Sequence, residues 1–136
     1  MMSGNSGTQF RVLDVGQCDL DHGNISRLVE EHFNASVDRA HDRTEALAKV
    51  TGEAYDLVLV NRLLDRDHSE GLDVIREIKA DAKAANVPVM LVSNFEDAQA
   101  AAVSEGALQG FGKDSLGTND TLAILRSALR NESQNV

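Results

Sequence analysis

The sequence is short of several things, and each shortage excludes something. It has one cysteine, Cys18, so no internal disulfide framework is possible, and a lone thiol fits a reducing cytoplasm. Nothing beside Cys18 in sequence would activate it, which sets a redox role aside. Only 13 basic residues stand against 22 acidic ones, for a formal net charge of −9, and no Lys/Arg cluster occurs. That excludes a nucleic-acid footprint, which needs a basic stripe. The acidity itself reads as solubility. No apolar run approaches membrane-spanning length, and the start, MMSGNSGTQ, lacks the apolar core of a signal peptide. The four histidines, His22, His32, His41 and His68, have no metal-ligand spacing. GALQGFGKD, from Gly106 to Asp114, is no phosphate-binding loop: five residues separate Gly106 from Gly112, and Asp114 stands where Ser or Thr is needed. The expectation is therefore no nucleic acid and no membrane among its partners, and these stretches offer no motif on which a cofactor, a metal or catalysis could rest.

What is present is organised around YDLVLVNRLLD, Tyr55 to Asp65. Leu57 to Val60 is an unbroken apolar run, which reads as a strand buried on both faces, as in a parallel sheet under helices. It ends on Asn61, where the carboxyl end of such a strand opens into a crevice. Before it, Phe10 to Val15 is a strand closing at Gly16 and Gln17. Asp21 is a plausible N-cap for a helix with Ile25, Leu28, Val29 and Phe33 on one face. Ala35 to Ala40 is a short strand with Val37 inside, and DRTEALAKV a helix turning Ala46, Leu47 and Val50 inward. After Asn61 comes the polar loop Asp65 to Gly71, then a helix set by Leu72, Val74, Ile75 and Ile78. Val87 to Ser93 is a second buried strand, with the only proline, Pro88, at its tolerant start. Glu96 to Glu105 is an alanine-rich helix ended by Gly106. Gln109 to Gly112 is a weak strand, and Thr118 caps a last helix facing inward with Leu122, Leu125 and Leu129. Five strand–helix alternations in 136 residues, with no internal repeat, imply one α/β domain over residues 10–131. Residues 1–9 read as a flexible tail and 132–136 as a second tail.

RVLDV, EALAKV, YDLVLVN, EGLDVIREIK, VPVMLVS, the EGA turn and Lys113, in this order and spacing, resemble the receiver domain of bacterial response regulators from Phe10 to about Arg130. The resemblance implies a flavodoxin-like (βα)5 fold, a doubly wound parallel sheet of order 2-1-3-4-5. It also implies two-component or phosphorelay signal transduction in the cytoplasm. Receivers take a phosphoryl group on an aspartate ending the third strand, beside Mg²⁺ held by that aspartate and two acidic residues ending the first. A Ser or Thr and a Lys offset the charge of the transferring group. Here the acceptor position carries Asn61, and the acidic pair is replaced by Gly16 and Gln17. Ser93 and Lys113 match. The aromatic switch position is Gly110, with Phe111 one place on, and Asp114 replaces the proline usual after the lysine. The loop after Asn61 is about two residues longer than is usual in the family.

A neutral amide cannot form an acyl phosphate, and three lost negative charges remove what would hold Mg²⁺. The expected reading is a degenerate receiver, a phosphorylation-independent protein-interaction module working through its fourth helix, fifth strand and fifth helix. Its partners are signalling proteins, and a homodimer is compatible. The alternative is a small-anion or metabolite sensor using the crevice of Gly16, Asn61, Ser93 and Lys113. A third reading, an active receiver using Asp65, suffers from a loop not held in line with Ser93 and Lys113. Asn61 is either a hydrogen-bonding stand-in for the acceptor or a strand cap. Lys113 either donates to Asn61 or a loop carboxylate, or is solvated. Asp14, inside the first strand, is either a relocated carboxylate aimed at Lys113 or one at a wet sheet margin. Asp65 and Asp67 either build a makeshift acidic pocket or lie on a solvated loop.

Overall fold

A computed structural model describes residues 9–134, with side chains described through Leu129. Five strands alternate with five helices: β1 (Phe10–Val15), α1 (Asp19–His32), β2 (Ala35–Ala40), α2 (Arg43–Gly52), β3 (Leu57–Asn61), α3 (Gly71–Ala80), β4 (Val89–Val92), α4 (Glu96–Ser104), β5 (Leu108–Phe111) and α5 (Asn119–Gln134). The strands form one parallel sheet in the order β2-β1-β3-β4-β5. This is the flavodoxin-like order. Strand side chains alternate between faces, so each strand feeds two cores. Leu13, Val15, Val58, Val60 and Leu91 pack under α2, α3 and α4 with Val74, Ile75 and Ile78. Val12, Leu57, Leu59, Met90 and Phe111 pack under α1 and α5 with Ile25, Val29, Leu125 and Leu129. The chain of LVLV is apolar on both faces because both faces are covered.

Local signals act as their chemistry dictates at α2 and α4. Asp42 accepts from the Glu45 N–H at 2.9 Å, and Glu45 returns a bond from the His41 N–H at 2.8 Å. α4 ends with Gly106 N–H on Val103 O and Ala107 N–H on Ala102 O, both 3.0 Å, the pairing of a Schellman stop. Thr118 Oγ1 accepts from the Thr121 N–H at the start of α5.

Four expectations need adjusting. Asp21 is not the cap of α1: the helix begins at Asp19 after Cys18, so Asp21 lies in the first turn with its carboxylate free for another partner. β4 is shorter than Val87–Ser93, because Val87 N–H is spent on a turn with Ala84 O. β5 begins one residue earlier than expected and carries a bulge: Met90 pairs with Leu108 and Val92 with Phe111, three residues against two. α5 runs past residue 131 to Gln134, since a formed helix gains one backbone bond with each residue added. The leading tail, apart from Gln9, lies outside the described residues, as do residues 135 and 136. Among the described residues no helix is long and apolar enough to cross a membrane.

Candidate functional site

The carboxyl ends of β3, β4 and β5 meet at a cleft of about 250 Å³, walled by Asn61, Arg62, Ser93, Asn94, Phe95 and Lys113. Gly16 and Gln17, ending β1, do not line it. The Asn61 amide nitrogen donates to the Gly16 carbonyl at 3.0 Å. The Asp65 N–H donates to the same carbonyl at 2.8 Å, which gives that oxygen two donors. Gly16 itself sits at φ +78°, and a Cβ there would strike Leu64 Cδ2 and stand 3.1 Å from Leu64 Cα. Leu64 is fully buried. An apolar side chain thus fills the space beside the end of β1, and the loop after β3 is fastened across it.

The two residues that match the family pattern both border the cleft, but their side chains are engaged elsewhere. Ser93 is buried, and its Oγ accepts from the Phe95 N–H at 3.1 Å. Lys113 Nζ lies 2.7 Å from Asp21 Oδ2, an ion pair to α1. That ammonium holds the Asp21 carboxyl below its ordinary range. Lys113 therefore pairs neither with Asn61 nor with a loop carboxylate, nor is it a merely solvated lysine. Asp14 follows neither expectation. It is fully buried, and its Oδ2 lies 2.7 Å from His22 Nδ1 in α1. Burial raises its pKa, opposed chiefly by the bond to His22. Gln17 is also buried, and its amide leans the same way as the His22 bond although neither of its polar atoms completes a hydrogen bond.

Asp65 and Asp67 build no pocket. Asp65 is exposed, and Asp67 accepts from Ser69 N–H and Oγ at 3.0 and 2.7 Å. Their loop is drawn the other way by Arg66, which binds Asp42 and Glu45. At the switch position, Gly110 is buried and Phe111 packs in the core rather than at the surface. A Cβ on Gly110 would strike Leu91 O, so no ring could stand there without moving β4. What holds the strand instead is Gln99 of α4, buried beneath it. Its Nε2 donates to Leu91 O at 2.9 Å and Ser93 O at 3.1 Å, while its Oε1 accepts from the Gly110 N–H at 2.9 Å.

No family model matches the sequence, and no curated protein matches it. Solved structures do. A CheY-like response regulator receiver domain protein from Methanospirillum hungatei superposes with a TM-score of 0.78 at 18% identity, over 95% of this chain and 100% of that one. A two-component response regulator from Clostridium difficile gives 0.73 at 19% identity, over 90% and 97%. The receiver domain of a sensor histidine kinase from Pseudomonas aeruginosa gives 0.69 at 16% identity, over 90% and 97%. The fold is that of a response-regulator receiver domain.

The Pseudomonas receiver domain has a magnesium ion coordinated in its active-site cleft. In this receiver fold the corresponding place does not suit one. Mg²⁺ wants oxygen ligands with one or two carboxylates among them. Here the Gly16 carbonyl already has two donors, Asn61 turns its nitrogen to that carbonyl, and Gln17 is buried. Among the described residues no group of three or more His, Cys, Asp or Glu stands together to hold a metal.

Five contributors to this site escaped sequence reasoning, which took Asp21 only for a helix cap. Arg62 stacks its guanidinium over the Phe95 ring, 5.0 Å from the centroid, and so closes one wall of the cleft. His22 and Asp21 sit three and two residues into a helix whose apolar spacing drew attention elsewhere. Gln99 lies in an alanine-rich run where a lone polar residue reads as exposed. Leu64 could have been suspected from the apolar pair Leu63–Leu64 inside an otherwise polar loop.

Proposed function

We propose that this chain is an atypical receiver domain that acts in signal transduction as a phosphorylation-independent protein-interaction module. The observation that carries the reading is the engagement of Asn61 with the Gly16 carbonyl, with Leu64 packed behind it. An acceptor must offer a carboxylate oxygen in line with a phosphodonor and beside Mg²⁺. Asn61 offers an amide nitrogen already bonded to the backbone, and Lys113, the cation that would meet the phosphoryl group, is paired with Asp21. The working surface in this reading is the face formed by α4, β5 and α5, and the chain carries out no reaction. The test is incubation with a small acyl-phosphate donor and Mg²⁺, followed by intact mass measurement. The mass is expected to stay unchanged; a stoichiometric, hydroxylamine-labile gain of one phosphoryl group would falsify the reading.

A second reading, a small-anion sensor, draws support from Arg62, which faces the cleft and whose side chain has only the Phe95 ring as a partner among the described residues. The Asp21–Lys113 pair counts against it. Titration with phosphate and with sulfate, followed through the backbone amides of Arg62, Ser93 and Lys113, separates the two. Saturable shifts at all three favour the sensor.

A further inference from the structure

Resting on the interaction-module reading, we infer that the α4–β5–α5 face takes a cationic segment of another protein that also carries apolar side chains, and not a second copy of this chain. A groove of about 840 Å³ runs between these three elements. Its floor is preformed: Gln99 fastens α4 to both β4 and β5, and the half-buried Ile124 supplies apolar surface. Phe95, 55% exposed, stands at one end, one side of its ring covered by Arg62 and the rest open to a partner. The rim carries Glu96, Asp114 and Asp120, and no Lys or Arg lines the groove. None of these three carboxylates has a cation partner among the described residues. Lys113, the lysine next to Asp114 in sequence, is turned to Asp21 on α1.

The charge pattern chooses the occupant. Two copies meeting through this face would bring six carboxylates together without a basic residue between them, and like charges across an interface are strongly unfavourable. A basic segment gains from the same three carboxylates, is steered toward them by the net charge of −9, and buries apolar side chains on Phe95 and Ile124.

The test uses three synthetic peptides of equal length: an amphipathic helical peptide of Lys and Leu, its Glu/Leu counterpart, and an all-Lys peptide. Binding is followed through the chain's backbone amides. The Lys/Leu peptide is expected to shift Ala100, Gln109 and Ile124 saturably. The Glu/Leu peptide should not bind, and the all-Lys peptide should bind more weakly. Asp114→Asn with Asp120→Asn should weaken Lys/Leu binding by roughly tenfold, while the matched charge change Glu30→Gln with Glu31→Gln on α1 should leave it unaltered. Equal weakening by the two pairs would show general attraction to an acidic protein and overturn the inference. So would binding of the Glu/Leu peptide, or all-Lys binding as tight as Lys/Leu. Dimers seen by sedimentation that respond to the Asp114/Asp120 pair and not to the α1 pair would also overturn it. Repeating the titration with an acyl-phosphate donor and Mg²⁺ reads the underlying proposal separately. Binding that appears only then sinks phosphorylation independence and keeps the groove; failure of the Lys/Leu peptide in both arms sinks the groove alone.

Discussion

At φ +78°, Gly16 occupies the left-handed region, where a side chain strains the backbone by roughly 1–3 kcal/mol. A Cβ there also collides with Leu64, and overpacking a core contact adds about 1–3 kcal/mol. Gly16→Ala is therefore expected to lose roughly 2–6 kcal/mol in urea unfolding. Leu64→Ala on its own leaves a cavity worth about 2–5 kcal/mol. The double variant should lose less than the sum, since each change relieves part of the other; strict additivity would mean that the two residues do not meet. The sign of pH dependence is equally specific at Asp14. Its pKa is raised in the folded chain from an ordinary 3.8. Between that value and the raised one, the unfolded chain has lost its proton while the folded chain keeps it. The folded state then binds more protons, so Asp14 subtracts stability as pH rises through this window and no further change follows above it. Asp14→Asn keeps an oxygen to accept from His22 Nδ1 and removes the titration. Subtracting its stability curve from that of the parent should isolate a contribution that declines with rising pH; one that rises with pH would mean Asp14 is ionised more readily folded than unfolded.

The joint between α4 and β5 depends on one side chain, Gln99. Gln99→Ala removes the acceptor of the buried Gly110 N–H and the donations to the carbonyls of Leu91 in β4 and of Ser93 just after it. Leaving a buried donor unmet costs about 1–3 kcal/mol, and the emptied space adds to it. The variant should lose roughly 2–4 kcal/mol, and the Gly110 amide should exchange its hydrogen sooner than amides of β3. Unaltered Gly110 protection would refute the role given to Gln99. This joint also marks the limit of what could be read in advance. The strands and helices that obey a regular period, such as β1, β3 and α3, were legible because burial on fixed faces writes period two or 3.6 into the residues. β5 was legible only weakly, because a bulge breaks its period and its stability comes from a glutamine eleven residues earlier. At the site, the residue types at positions 16, 17, 61, 93 and 113 were legible, and their pairings were not. Asp21 with Lys113 and Asp14 with His22 join distant or differently facing elements, and no local pattern encodes a contact between side chains ninety residues apart.

For the molecule as a whole, a site without clustered carboxylates predicts indifference to divalent metal. A ligand raises the melting temperature only by binding the folded state better than the unfolded one. Millimolar Mg²⁺ should shift the melting temperature no more than NaCl at the same ionic strength does, the comparison being needed because the chain carries a net charge of −9. A saturable rise peculiar to Mg²⁺ would mean that carboxylates gather in a way the fold described above does not provide.

The fastening of Asn61 and Asp65 to one carbonyl has a consequence for heredity. On the proposed reading, a path of single substitutions from this chain to a phosphate acceptor changes Asn61 and at least one position near Gly16. Asn61→Asp alone gives up the donor to Gly16 and meets no metal site; an acidic residue at Gly16 alone collides with Leu64. Neither of these single steps returns the chemistry by itself, so each offers selection nothing until the other is in place.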